Sequence, residues 1–300
     1  MKITSRKPLD NFAISTMVML CLIWGLQQVA VKAAASGMHP IMQTGIRSLL
    51  AALFVYLLVR SRGENVSLRD GTFRAGVVAG LLFTMEFLCV AVGLQFTTAS
   101  HMSVFLYTAP IFTVLGLHWF VPGERLRPLQ WAGVFLAFAG IAIAFSNGFA
   151  DPSHDWHQVL LGDLLGVVGG VFWAATTVFI RRSALSEAPP ATTLLYQLGS
   201  SGVVLIAIGT LLGQAATIRM SDIVWTSMIF QTIIVAFISF LIWFWLLRNY
   251  LASRLSAFSF LTPLFGVAFG VLLMKDPVGV RFAIGAALVL SGVVLANLRK

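Results

Sequence analysis

The run Leu22-Ile23-Trp24-Gly25-Leu26-Gln27-Gln28-Val29-Ala30-Val31-Lys32 returns about 149 positions later as Val171-Phe172-Trp173-Ala174-Ala175-Thr176-Thr177-Val178-Phe179-Ile180-Arg181. The interval from the tryptophan to the base is the same in both. A second echo extends further. Ala99-Ser100, Pro110, Phe112, Gly133 and Gly140 recur as Ala252-Ser253, Pro263, Phe265, Gly285 and Gly292, at an offset of about 152. Self-similarity at a fixed offset restricts the fold to two copies of one unit packed against each other. The expected division is residues 1–150 and residues 151–300.

What surrounds those units follows from polarity. The chain is 58% hydrophobic and only 10% charged, too little charge for a soluble domain of 300 residues. Ten apolar stretches can be counted: 13–35, 41–59, 72–95, 101–120, 129–146, 159–180, 192–212, 223–246, 255–274 and 280–297. Each is close to the roughly 20 residues that cross about 30 Å of hydrocarbon as a helix. The fold class expected is all-α and polytopic, with ten transmembrane helices. Lys2, Arg6 and Lys7 before an apolar run mimic a secretory signal, but the run is long for one, and Trp24 within it has its counterpart in mid-chain. It reads as a retained first helix.

The formal charge of +9 would suggest nucleic acid in a soluble protein. Here the bases lie between the apolar stretches. Alternate sides hold 15 and 4 of them, with Arg47 left inside a stretch. That bias predicts both termini in the cytoplasm and needs no nucleic-acid partner. Asn65-Val66-Ser67 then falls in a cytoplasmic loop, and the loop with His154 and His157 lies outside. Cys21 and Cys89 sit within apolar stretches, without disulfide or metal spacing, and read as buried thiols.

Five helices per copy is an odd number, so the second copy must enter the bilayer from the opposite side. The result is an inverted repeat with its pseudo-two-fold axis in the membrane plane. Carriers built this way place their substrate site where the repeats meet. Trp24 and Trp173 are then expected on opposite walls of one central space. Gln28 and Thr177 follow the tryptophans by four, on the same helical face. Each repeat would thus offer an aromatic plate beside a polar group, or else simple packing bulk.

Glu86 lies deep in the third stretch, where a carboxylate is costly and by default functional. It reads as a contact for a substrate ammonium, a proton-coupling site, or a carboxylate tied structurally. Arg47 lies about seven residues into the second stretch, within reach of Glu86, and is expected to pair with it or line the same cavity; snorkelling to the interface is the alternative. Pro110 and Pro263 are matched mid-helix prolines, each freeing a carbonyl four residues earlier, with Tyr107 beside the first break. They read as hinges or as packing kinks. His101 is expected at the outer interface, and Glu124, Arg125, Arg127 and Asp276 as turn charges. No Walker loop, zincin motif or activated serine is present, so nothing in the sequence points to an enzyme or a cofactor.

The ten-helix plan, the duplicated unit and the block Ala99-Ser100…Pro110-Ile111-Phe112…Gly123-Glu124-Arg125-Leu126…Gln130-Trp131-Ala132-Gly133 resemble the drug/metabolite transporter superfamily in its EamA-type exporter branch. Ala252-Ser253…Thr262-Pro263-Leu264-Phe265 looks like the second copy, departing only where Lys275-Asp276-Pro277-Val278 replaces Gly-Glu-Arg-Leu. The resemblance implies export of small organic solutes, amino acids including aromatic ones among them, across the bacterial inner membrane. The aromatic amino-acid exporter group is the nearest in kind. Trp24, Gln28, Glu86, Tyr107, Trp173 and Thr177 are the candidate cavity linings, in a carrier working by alternating access. A proton-coupled multidrug exporter and a facilitative pore are the alternatives. The partners expected are a small-molecule substrate, the lipid bilayer and, if Glu86 relays them, protons. A monomer suffices to enclose such a site, and a dimer stays open.

Overall fold

The computed structural model describes residues 10–63, 71–120, 127–145, 156–250 and 261–297. Its helices make ten spans in the expected order. Spans 1 to 3 are α1 (Asn11–Ala33), α2 (Pro40–Ser61) and α3 (Phe73–Gly93). Span 4 is divided into α4 (Ala99–Leu106) and α5 (Ala109–Phe120), and span 5 is α6 (Pro128–Phe145). Spans 6 and 7 are α7 (Trp156–Arg182) and α8 (Pro190–Leu211). Span 8 joins α9 (Asp222–Ile229) to α10 (Phe240–Asn249) through a π-helical segment, Phe230–Ser239. Spans 9 and 10 are α11 (Leu261–Met274) and α12 (Val280–Asn297). Among the described residues, seven spans are long and apolar enough to cross a membrane, and three are shorter apolar helices. In lipid every backbone group must be satisfied within the segment, so uniformly apolar runs of this length become helices.

The duplication reaches backbone detail. α2 and α8 both open on a proline, Pro40 and Pro190, whose missing N–H costs nothing at a first helical position. The residues before them, His39 and Pro189, share one extended conformation, with φ −56° in both and ψ 139° and 136°. A short 3₁₀ turn follows α1 at Ala34–Ser36 and α7 at Ala184–Ser186, 150 residues apart.

The packing is duplicated too. Spans 1 and 9 pack together, as do spans 6 and 4; spans 3 and 7 pack, as do spans 8 and 2; spans 3 and 6 pack, as do spans 8 and 1. The pairs 2 with 7, 4 with 9, and 5 with 10 map onto themselves when five is added. This is the contact map of two interlocked copies related by a two-fold axis. With an odd number of spans in each copy, the copies run oppositely through the membrane.

The seam of α6 and α12 is a close backbone approach built on the duplicated glycines. A Cβ at Gly140 would lie 2.6 Å from the Val289 nitrogen and 2.7 Å from the Gly285 oxygen. A Cβ at Gly285 would lie 2.6 Å from both the Ala144 nitrogen and the Gly140 oxygen. Without a hydrophobic drive between helices in lipid, such small-residue faces let backbones approach closely enough to hold them together.

α1, α3, α8 and α11 finish at the end of the bundle opposite the N-terminus, where α2, α4, α7, α9 and α12 begin; this is the far end. One turn there has special geometry. Lys275 takes a left-handed φ of 57°, and the Asp276 N–H donates to the Gly270 carbonyl at 3.1 Å. The reversal closes α11 and turns the Asp276 side chain back toward α4.

Candidate functional site

Glu86 and Arg47 lie in one layer. Glu86 is seven residues from the end of α3 and Arg47 seven from the start of α2, about 10 Å inside the far end at 1.5 Å per residue. Both are buried, with 6% and 2% of their surface exposed. Arg47 does not snorkel. Its guanidinium carbon lies 4.6 Å from the centre of the Phe87 ring, next in sequence to Glu86. No Arg47 nitrogen comes within 4.0 Å of a Glu86 oxygen, so they are neighbours without an ion pair. The Arg47 Nε and Nη1 atoms are buried and lack hydrogen-bond partners.

Tyr107 belongs to the same layer, where the Glu86 carbonyl and the side chain of Leu106 both lie 3.4 Å from the place of a Cβ on Gly169 of α7. The helix breaks at Tyr107 and Thr108, just before Pro110, which stands in the first turn of α5. The Thr108 hydroxyl donates to the Phe105 carbonyl at 2.6 Å. The Leu106 carbonyl, which the proline cannot bond, faces Gly170 of α7, 2.9 Å from where a Cβ would sit. Gly170 therefore makes room for the break. The Tyr107 ring stands edge-on to Trp173, with centroids 5.2 Å apart at 88°. Glu86, Tyr107 and Trp173 are thus brought together from spans 3, 4 and 6. Arg47 adjoins them from span 2.

The remaining candidates have other partners. Trp24 donates its indole N–H to the Ser239 hydroxyl at 2.9 Å and stands edge-on to Trp243 at 5.6 Å. It packs with spans 8 and 9, whereas Trp173 packs with Val31, Val90, Met102 and Tyr107. The two tryptophans therefore stand in different clusters of packed side chains. The cause is local: the π segment presents Ser239 to the one polar atom of Trp24. Gln28 is buried with its Oε1 unpartnered, and the exposed Thr177 bonds its own helix at the Trp173 carbonyl, 3.1 Å away. Pro263 is buried in the first turn of α11, and the carbonyl it would free, at Ser259, lies outside the described residues.

The far end holds a second polar cluster that the sequence reading left apart. Asp163 of α7, in the sixth apolar stretch, accepts the Thr97 hydroxyl and lies 2.8 Å from the His101 Nδ1 atom. The Lys32 ammonium bonds the Thr97 carbonyl. His101 also stacks on Phe282 of α12, with centroids 4.0 Å apart and planes at 3°. Asp276 accepts both the Ser100 backbone N–H, at 2.9 Å, and the Ser100 hydroxyl, at 2.8 Å. Two carboxylates of the second half therefore grip the first turn of α4, whose unpaired N–H groups favour negative charge.

Two expectations are corrected by this cluster. His101 is not an interface residue but is buried with an acidic partner, and Asp276 does more than cap its own turn. Asp163 carried the same signal as Glu86, an acid within an apolar stretch, and went unused. Glu124, Arg125, Ala252 and Ser253, the sequence counterparts of Asp276 and its partner, lie outside the described residues. So do Asn65, Ser67 and His154.

The near end has bonds between the halves as well, from the Tyr250 hydroxyl to Asp10 at 2.9 Å and between Thr72 and Tyr196 at 3.2 Å. In the far half, Gln43 of α2 donates to the Val31 and Met38 carbonyls at 3.0 and 2.7 Å and accepts from Gln231 of the π segment at 2.8 Å.

Known proteins share this plan. The chain is 25% identical to an uncharacterized transporter, YvbV, of Bacillus subtilis (strain 168), over 94% of this chain and 90% of that one. It is also 25% identical to a probable amino-acid metabolite efflux pump of Escherichia coli (strain K12), over 92% of this chain and 91% of that one. A solved crystal structure with 20% identity superposes with a TM-score of 0.66 over 95% of this chain and 97% of the other, a likeness of fold. The model of the EamA-like transporter family matches twice, at residues 11–146 and 160–298. With both halves matched, the chain belongs to the EamA-like transporter family.

Proposed function

We propose that this transporter exports amino acids, aromatic ones included, and related small metabolites across the bacterial inner membrane by alternating access. Both termini lie in the cytoplasm, and the far end is periplasmic. Residues 1–150 and 151–300 are the two units that move. The observation that carries this reading is a pair of buried opposite charges, Arg47 and Glu86, beside the aromatic pair Tyr107 and Trp173, under an end where the halves are clasped. Buried charge in a membrane protein marks a substrate or ion path. Bonds between the halves at both ends, which can part in turn, suit an alternating carrier. The break before Pro110 supplies one hinge, because a chain interrupted there bends without losing further backbone bonds, and its sequence counterpart Pro263 supplies the other. The printed name of the Escherichia coli relative, a probable amino-acid metabolite efflux pump, supports the substrate class.

A proton-coupled multidrug exporter is the second reading, favoured by one observation, a buried carboxylate at Glu86 with its one nearby base held off. Efflux from cells distinguishes the readings. Cells preloaded with labelled phenylalanine or leucine lose label faster when this chain is expressed than when it is not. Equal rates for every amino acid, with faster loss of a cationic dye, would replace the first reading by the second.

Trp173 provides a sharper expectation. Its edge-on contact with Tyr107 belongs to a class of aromatic pairs worth roughly 0.5–1.5 kcal/mol beyond area burial. Trp173→Ala is expected to weaken transport of phenylalanine up to about tenfold, at 1.4 kcal/mol per tenfold, while alanine transport changes little. Parallel uptake curves for the two cargos check this. An equal loss for both would reduce Trp173 to packing.

A further inference from the structure

Arg47 has donors that nothing in the protein uses. A guanidinium carries five N–H groups, and burying charged donors without partners costs several kcal/mol unless something completes them. The surrounding wall satisfies polar groups where it can. Gln43, one turn away on the same face of α2, has its amide filled by Val31, Met38 and Gln231. Arg47, at 2% exposure, has Nε and Nη1 empty. Each of those two atoms pairs with Nη2 in a fork that takes a carboxylate through two parallel bonds. Phe87 holds the guanidinium at 4.6 Å through a cation–π contact, which fixes the group without using a donor.

Glu86 does not complete it either. The two side chains are buried in the same layer, and opposite charges in a poorly polarisable interior attract strongly. They nevertheless stay beyond 4.0 Å. A separated, unsatisfied pair of opposite charges matches a ligand that carries both signs at short range.

Resting on the export reading above, we infer that Arg47 binds the α-carboxylate of the cargo while Glu86 receives its α-ammonium, so that the site selects zwitterionic amino acids over their amide, amine and acid analogues. The side chain of the cargo then points toward Tyr107 and Trp173.

The test uses the full-length protein in proteoliposomes, with exchange of labelled phenylalanine as the readout. Unlabelled phenylalanine, phenylalaninamide, phenethylamine and 3-phenylpropionate serve as competitors. In the wild type, the three analogues lacking one charge are expected to compete at least tenfold more weakly than phenylalanine. Arg47→Gln is expected to raise the half-inhibitory concentration of phenylalanine at least tenfold and leave that of the amide unchanged. Arg47→Lys keeps the charge without the fork and is expected to fall between the two. If Arg47→Gln fails to fold, Arg47→Lys and the wild-type series carry the comparison. Analogues that compete as well as phenylalanine, or arginine variants that keep wild-type competition, overturn the inference and leave amino-acid export standing. Absence of phenylalanine exchange in the wild type removes both.

Discussion

Asp276→Ala is expected to open the far end of the bundle. The Asp276 carboxylate takes two bonds from Ser100, one from the backbone N–H at the start of α4 and one from the hydroxyl. Hydrogen bonds to a charged group contribute about 1.5–3 kcal/mol each. Loss of two is worth about 3 kcal/mol, roughly a hundredfold in the ratio of closed to open forms. A cysteine at Ala99, fully buried beside the grip, reports the change in a background where Cys21 and Cys89 are replaced. Its labelling by a membrane-impermeant thiol reagent should accelerate by tenfold or more. Thr177, exposed in the near half of α7, is the reciprocal reporter, and labelling of Thr177→Cys should slow. A rise at both positions would indicate general loosening, and Asp276 would then be a stabilising contact rather than part of a gate. The Asp163 arm, through Thr97 and His101, predicts the same reciprocal pattern for Asp163→Asn.

Gly140→Val is expected to be the most damaging change outside the site. The new Cβ would meet the Val289 nitrogen and the Gly285 oxygen at 2.6 and 2.7 Å, both backbone atoms that cannot rotate away. Overpacking of this kind costs about 3 kcal/mol or more. In a protein of this size, that corresponds to a loss of about 5 °C in the melting temperature in detergent. Gly285→Val should cost about as much, because the two glycines meet each other across the seam. Gly199→Ala is the control. A Cβ there meets nothing within 4 Å, and alanine favours the helix, so the melting temperature should not fall. Equal melting for all three variants would mean that the seam contributes nothing to stability.

The reach of the sequence is clearest at these two places. The glycines of the seam were visible as a duplicated pattern, and so were the ten spans, because apolar length and repeated spacing are local properties. The layer shared by Arg47 and Glu86 was also accessible, since depth along a helix is simple arithmetic. What the arithmetic could not supply was their separation, which depends on Phe87 holding the guanidinium. The grip on α4 joins residues 62 and 176 positions apart, and no periodicity announces such partners. The π segment of span 8 escaped for another reason. In a uniformly apolar helix a change of pitch leaves almost no trace in the hydrophobic pattern, yet it decides where Ser239 meets Trp24.

Counterflow tests the central claim most directly. Proteoliposomes loaded with unlabelled phenylalanine at high concentration are placed in a trace of labelled phenylalanine, with no ion gradient. An alternating carrier brings label in transiently above its outside concentration, because excess unlabelled cargo inside occupies the returning site and keeps the label from leaving. The account predicts this overshoot, saturable and abolished by unlabelled phenylalanine outside. Label that only equilibrates, at a rate proportional to concentration, would show an open pore and contradict it.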